Sequence, residues 1–323
     1  MSNVESAPEE VVCVGDAEAV EVVRPRAVPL GGPRAMTVRR TLPRRARSLI
    51  GAWCFLDHYG PDRVSATGGM EVPGHPHTGL QTVSWLFSGE VEHRDTTGAH
   101  AIVRPGELNL MTAGSGIAHS EYSTPGTDLL HGAQLWVALP SAHRQVDAGF
   151  EHYAPSTVDA DGTALRVFLG SLEGETSPVA TWSPLLGAEI VVPPGGRFRA
   201  GTDPGFEHGV LVDTGTVRVG GTTAEPGDLV LLPRGATGLD LHAPGPDGAR
   251  VLLLGGEPLG EQIVMWWNFI GTTHDEIAGY RAQWQDERAR GGDAGGRFGA
   301  FPEQWASTLP APELPHARLT PRG

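Results

Sequence analysis

The 323-residue chain contains no lysine, and all 24 of its basic residues are arginine. That absence excludes Schiff-base catalysis through a lysine amine and a phosphate loop built around a lysine, since both need an amine on a flexible stem. Cysteine is nearly absent too: Cys13 and Cys54 are too few for a disulfide framework, a usage that fits a reducing cytosol. No apolar run approaches the ~18 residues that span a bilayer. Residues 1–23 carry six acids and no base, the reverse of a signal peptide's positive start. The expectation is a cytoplasmic protein with no membrane association. Net charge is −14 and the arginines form no stripe that would track phosphates, so direct nucleic-acid binding is not expected. The one dense run, Arg39 to Arg47, reads as an exposed strand and turn with solvated arginines.

What is present is strand periodicity. Gln81 to Phe87 ends at Ser88-Gly89, Glu90 to Asp95 alternates, and Thr97-Gly98 turns the chain again. Further strands are predicted over Leu49–Leu56, Ala101–Arg104, Glu107–Met111 and Gly132–Leu139, most of them flanked by glycine, proline or aspartate. Short strands at this spacing predict an all-β barrel or sandwich. One helix is predicted late, where Thr273 offers a cap and Asp275 and Glu276 an acidic first turn before Ile277, Tyr280 and Trp284.

Two triplets carry the chemistry. His75-Pro76-His77 and His119-Ser120-Glu121 each place two metal-capable side chains two residues apart, on one side of an extended segment. A lone histidine is more often structural. Two paired triplets in glycine-rich surroundings point instead to one ion held by His75, His77, His119 and Glu121. Structural zinc sites are usually four-coordinate and rich in cysteine. Three imidazoles and a carboxylate suit an octahedral Fe(II), Mn(II), Ni(II) or Cu(II) with open positions.

The second half repeats the first with the chemistry removed. Ser88-Gly89-Glu90-Val91 finds an echo in Thr214-Gly215-Thr216-Val217, and Pro105-Gly106-Glu107-Leu108 in Pro226-Gly227-Asp228-Leu229. The offsets are 126 residues (88 to 214) and 121 (105 to 226), as for a duplicated domain. The first histidine pair then falls on Gly201 and Asp203, and His119 and Glu121 fall on Asp240 and His242. Half a ligand set holds no metal firmly, so Asp240 and His242 read as surface residues. The chain divides into a flexible arm (1–31), a metal-binding domain (32–140), a linker and start of the second barrel (141–165), a second domain without metal plus the helix (166–284), and a mostly flexible tail (285–323).

The chain resembles the pirins, a family of bicupins. The matching stretches are Gly32-Pro33-Arg34 with Val38-Arg39-Arg40, Phe55 to Pro61, the segment from His75 to Val83, Met111 to Glu121, Leu135-Trp136-Val137, Gly256 to Glu261, Asp275-Glu276-Ile277 and Gly296 to Gly299. The resemblance implies two tandem cupin barrels of the double-stranded β-helix (jelly-roll) kind. It also implies one metal, usually iron, on His75, His77, His119 and Glu121 in the first barrel and none in the second. Where many pirins carry a cation, an aromatic ring and an acid after the first triplet, this chain has Thr78, Leu80 and Gln81. The expectation is that metal binding survives and that substrate choice or turnover is altered.

Two functional classes follow. The first is a metal-dependent dioxygenase resembling the quercetin 2,3-dioxygenases among pirins: O2 and a small aromatic flavonol meet at the ion, Glu121 acts as both ligand and catalytic proton acceptor, and Trp85 and Trp136 are candidates for the cavity wall or for plain core. The second is a non-catalytic iron- or redox-sensing protein that regulates a transcription factor or metabolic enzyme.

Overall fold

A computed structural model describes residues 20–30, 36–44 and 47–321. It is all-β, with one long helix. Each half builds a seven-stranded and a four-stranded antiparallel sheet closed into a barrel. In the first barrel the large sheet runs Gly149–Tyr153, Leu108–Thr112, Leu80–Ser88, Leu129–Ala138, Trp53–Arg63, Met36–Leu42, Arg26–Leu30, and the small sheet runs Glu71–His77, Ile117–Ser123, Val91–Asp95, His100–Val103. The second barrel repeats this order, its large sheet containing Leu229–Leu231, Glu207–Thr214, Ala249–Gly256 and Leu185–Val192.

The two large sheets pack face to face. Strand alternation sends Val83, Trp85, Leu135 and Val137 outward from the first barrel, into one buried cluster with Leu211, Leu229, Leu252 and Leu254 of the second. Trp53 donates its indole N–H to the Gly255 carbonyl across this interface (3.0 Å). Trp85 stacks on Phe168 with ring centroids 4.5 Å apart and donates to the Glu189 carboxylate (2.8 Å), so it belongs to the interface core and lines no cavity.

The expected boundaries need correction at three places. Of the arm 1–31, residues 1–19 and 31 lie outside the described residues. The rest is paired: Glu21–Val23 joins the second barrel's sheet against Leu229–Leu231, and Arg26–Leu30 joins the first barrel's sheet against Met36–Leu42. The linker in turn gives Gly149–Tyr153 to the first barrel, against Leu108–Thr112. An edge of each large sheet is thus covered: the first barrel's by the segment that follows it in sequence, and the second barrel's by the N-terminal strand, which crosses over from before the first barrel. The dense arginine run is not simply solvated either. Arg40 is buried against Asp57 (2.7 Å) and Arg47 against Glu207 (3.0 Å), while Arg45 and Ala46 lie outside the described residues.

The tail is the third correction. The helix spans His274–Arg290, capped by the Thr273 hydroxyl accepting from the Glu276 amide. Beyond it, Phe298, Ala311 and Leu319 are buried in one cluster with Trp266, Trp267, Phe269, Ile277, Tyr280, Trp284 and Ala118. Trp284 donates to the Leu309 carbonyl (2.8 Å), and the Leu309 amide donates to the Gly74 carbonyl (2.8 Å). The tail's apolar residues are too sparse to show local periodicity, yet a preformed aromatic surface receives them.

Truncation after Ala300 should therefore destabilise the protein. Burying Leu309 and Leu319 alone contributes on the order of 3 kcal/mol, so a melting-temperature drop of about 5 °C is expected. An unchanged melting temperature in the truncated chain would show that this docking contributes nothing.

Candidate metal centre

The two triplets sit on neighbouring antiparallel strands. His77 pairs with Ile117, Pro76 with Ala118 and His75 with His119, after which a bulge at Pro73-Gly74 shifts the register so that Glu121 faces Val72. Gly79 and Gly114 pin the two segments together, the Gly79 amide donating to the Gly114 carbonyl (2.8 Å). Both have positive φ, and a Cβ at Gly114 would lie 1.9 Å from the Val146 carbonyl oxygen, so only glycine fits there.

This geometry brings His75, His77 and His119 together, with donor atoms all within 4.8 Å of one another. Glu121 enters an overlapping group with His119 and His93, so His119 is the shared member of the two groups. All four expected ligands are buried. The His77 and His119 Nε2 atoms lie 3.1 Å apart. Donors ~2.1 Å from an octahedral ion would be spaced about 3.0 Å apart, so this nitrogen pair fits one. His75 uses Nδ1 on the Pro73 carbonyl (2.9 Å), leaving its buried Nε2 without a partner. Burial above all holds the three imidazoles well below the usual histidine pKa, and their mutual repulsion lowers His77 and His119 further. Neutral imidazoles with exposed lone pairs are what a cation requires.

His93 was not singled out by the sequence, although the His93-Arg94-Asp95 alternation was visible. It lies opposite Glu121 on the strand Val91–Asp95. Asp95 is fixed by the Thr97 amide (2.8 Å) and hydroxyl (2.6 Å) and meets His93 Nε2 at 3.0 Å. With Nε2–H given to Asp95, His93 Nδ1 is free to accept from His119 Nδ1 (3.3 Å). That chain leaves the His119 Nε2 lone pair for an ion, the kind of outer support that orients metal-bound histidines.

The remaining singled-out residues are placed as follows. Trp136 faces the centre: its ring meets His77 edge-on at 5.1 Å and stacks on Phe55 at 4.0 Å. Leu80 packs in the same cluster as Trp136 and Ile117, and the Thr78 carbonyl accepts from the Ile270 amide (3.0 Å). By alternation Gln81 shares the Val83 and Trp85 face, away from the ions' side of the strand, and its amide donates to Thr112 (2.9 Å). Tyr59 is buried near the Glu121 and Asp57 charges, and burial first, then those charges, keep it a neutral phenol well above its ordinary pKa. In the second barrel Asp240 is bound by Arg197 and Arg199, and no metal-capable group is confined to that barrel among the described residues.

A third metal-capable group, His58, His131 and Asp213, joins the two barrels. Both histidines meet Asp213 Oδ1 through Nε2, at 2.7 and 2.6 Å. Arg39 donates to His58 Nδ1 (3.3 Å), and Arg250 to Asp213 Oδ2 (2.6 Å). Two guanidinium groups already neutralise the carboxylate and repel a cation, so this cluster is a hydrogen-bonded clamp between barrels. Burial raises the Asp213 pKa, but the histidine hydrogen bonds outweigh it and hold the carboxyl below its usual range.

Comparison with known proteins agrees with this architecture. The Pirin family model matches residues 35–137, and that of the Pirin C-terminal cupin domain matches residues 187–290. A Pseudomonas aeruginosa protein named "Putative quercetin 2,3-dioxygenase PA1205" is 42% identical over 294 residues, spanning 91% of this chain and 90% of that protein. A Caulobacter vibrioides protein named "Pirin-like protein" is 33% identical, over 82% of this chain and 94% of that one. The crystal structure of a quercetin 2,3-dioxygenase from Acinetobacter baumannii superposes with a TM-score of 0.85 at 37% identity, covering 93% of this chain and 97% of that one.

Two outcomes are expected from this geometry. His93→Phe keeps a ring to stack on Phe150 but removes both nitrogens, and should weaken metal affinity by about 10 to 100-fold with little change in melting temperature. Metal titration of the folded variant checks this, and an unaltered affinity would refute the support role. His58 has its pKa lowered to about 4, burial outweighing the Asp213 hydrogen bond that favours the charged form. Unfolded, it titrates near 6.5. Between those values the unfolded chain binds a proton that the native state refuses, so its contribution is complete above about pH 6.5 and is lost as pH falls toward 4. Urea unfolding should show native protein losing about 2 kcal/mol more than His58→Gln between pH 6.5 and 5; equal losses would remove His58 from the acid response.

Proposed function

The chain belongs to the pirin family, and from that premise we propose that it is a metal-dependent dioxygenase that opens a flavonol-like aromatic substrate with O2. The observation that carries the reading is the meeting of three buried, neutral imidazoles, with a carboxylate beside them, in the family's first barrel. His75, His77, His119 and Glu121 are the proposed ligands of one divalent ion, iron foremost, with manganese, nickel and copper as alternatives. Such an ion, when bound, supplies a positive centre that polarises coordinated oxygens and exchanges electrons with O2.

The chain's own residues do the rest. Glu121 takes the proton of the substrate's 3-hydroxyl, leaving an electron-rich enolate-like ring. Asp95 and His93 hold the His119 ring in one orientation while that proton moves. Tyr59, kept neutral near Glu121, offers a hydroxyl to the same region without adding charge. Trp136, backed by Phe55, supplies a flat apolar wall beside His77, against which an aromatic ring packs and water is excluded. The names carried by the Pseudomonas and Acinetobacter relatives support this substrate class.

Oxygen uptake with quercetin, divided by bound metal, tests the reading. His119→Ala should lose most of the metal. Glu121→Gln should retain part of it, since an amide oxygen still coordinates weakly, while turnover per bound metal falls about 10² to 10⁴-fold. A fully metallated native protein that consumes no oxygen with any flavonol would overturn the dioxygenase reading in favour of a metal-sensing partner protein.

A further inference from the structure

Facing the metal-bearing sheet, one row of polar residues crosses six strands of the first barrel's large sheet in unbroken register. His152 pairs with Asn109, Asn109 with Ser84, Ser84 with Gln134, Gln134 with Asp57 and Asp57 with Arg40. Alternation puts the row on the inner face, the one shared by Met111, Leu80, Trp136, Phe55 and Val38, since the intervening residues fill the interface between barrels. The same position in six consecutive strands is polar, while its neighbours along this face, Met111, Leu86, Trp136, Phe55 and Val38, are apolar. From Asn109 to Arg40 every member is buried.

The hydrogen bonds within the row fix which atoms are left over. Arg40 forks onto Asp57 (2.7 and 2.8 Å). The Ser84 hydroxyl donates to Gln134 Oε1 (2.8 Å), and His152 Nδ1 meets Asn109 Oδ1 at 3.2 Å. Gln134 Nε2 and Asn109 Nδ2 therefore remain, both buried and neither with a partner. Trp136, next to Gln134 on the same face, has an unpartnered indole N–H as well. All three are donors. A buried donor without an acceptor forfeits the water it had when unfolded, so an inner wall carrying three of them is built for something that brings acceptors.

We propose that this belt reads the substrate: Gln134 and Asn109 donate hydrogen bonds to oxygen substituents on the part of the molecule remote from the hydroxyl-ketone pair that meets the ion. The proposal rests on the flavonol reading and narrows it to ring-oxygenated flavonols. Position supports it, because Gln134 lies between Trp136, which touches His77, and Gly132, where a Cβ would lie 2.7 Å from the Tyr59 hydroxyl. Tyr59 in turn feels the Glu121 charge.

The test is anaerobic binding to the metal-loaded protein, read by flavonol absorbance, so that no turnover is needed. Quercetin is compared with 3-hydroxyflavone, which keeps the hydroxyl-ketone pair and lacks the other hydroxyls. Native protein should prefer quercetin by roughly 10-fold or more, as sites built around polar contacts reject analogues that leave them unmade. Gln134→Met and Asn109→Leu should each bring that preference down to about 3-fold or less, with 3-hydroxyflavone affinity and metal content held. Gln134→Glu, nearly the same shape with one donor replaced, should do likewise and guards against a packing artefact in the methionine variant. A native protein that binds both flavonols equally, or a preference that survives all three substitutions, overturns the belt and leaves the flavonol reading standing. Failure of the fully metallated native protein to bind either flavonol overturns both.

Discussion

The large sheet of the first barrel is buried on both faces, and its period of two divides each strand between two duties. In the strands Leu80–Ser88 and Leu129–Ala138, Val83, Leu135 and Val137 hold the barrels together, while Ser84, Gln134 and Trp136 face the barrel interior. A shift of one residue in any pairing would exchange the two sets, exposing the interface to polar side chains and filling the interior with leucine. The register must therefore be correct in the body of every strand at once. Bulges occur, but they fall near strand ends, as between Leu130 and Gly132 or Trp136 and Val137.

The same constraint explains why the two barrels differ in chemistry while sharing a strand order. The second barrel's interior is occupied by Val167, Ile190, Val210, Val212, Val230, Val251 and Leu253 packed against one another. At the strand pair equivalent to the two triplets it presents Arg199 opposite Asp240 and Gly201 opposite Gly238. An apolar interior needs no polar support. The first barrel keeps a polar interior at a cost in buried, incompletely paired groups, and its apolar partner supplies the compensating stability through the shared interface.

The sequence made the candidate ligands legible because their spacing is local: two residues apart within each triplet, with glycines marking the turns. The Thr273 cap and the second barrel's repeat of the first were legible for the same reason. What stayed hidden was long-range. His58, His131 and Asp213 are separated by 73 and 82 residues (58 to 131, 131 to 213), and each taken alone is an ordinary strand residue. The polar belt contributes one residue from each strand, and a single serine or glutamine in an alternating segment carries no signal until the pairing register is known. Gln81 invited a role at the metal by its nearness to His77 in sequence, but the turn at Gly79 changes strands between them.

The metal strand is also held by chain that lies beyond both barrels in sequence. The Ile270 amide binds the carbonyl of Thr78, just after His77, and the Leu309 amide binds the carbonyl of Gly74, just before His75. Arg297 donates to the Ser115 carbonyl in the loop that leads to His119 (2.6 Å). Each ligand-bearing segment is thus clamped at its end by residues 264–321, whose own packing is anchored on Trp284 and Phe298. An ion that binds only the native arrangement stabilises it by mass action. Docking of the C-terminal segment, by fixing the backbone on which the imidazoles stand, must raise metal affinity by the same factor that metal binding raises the stability of docking. The helix and tail are therefore energetically part of the proposed metal centre.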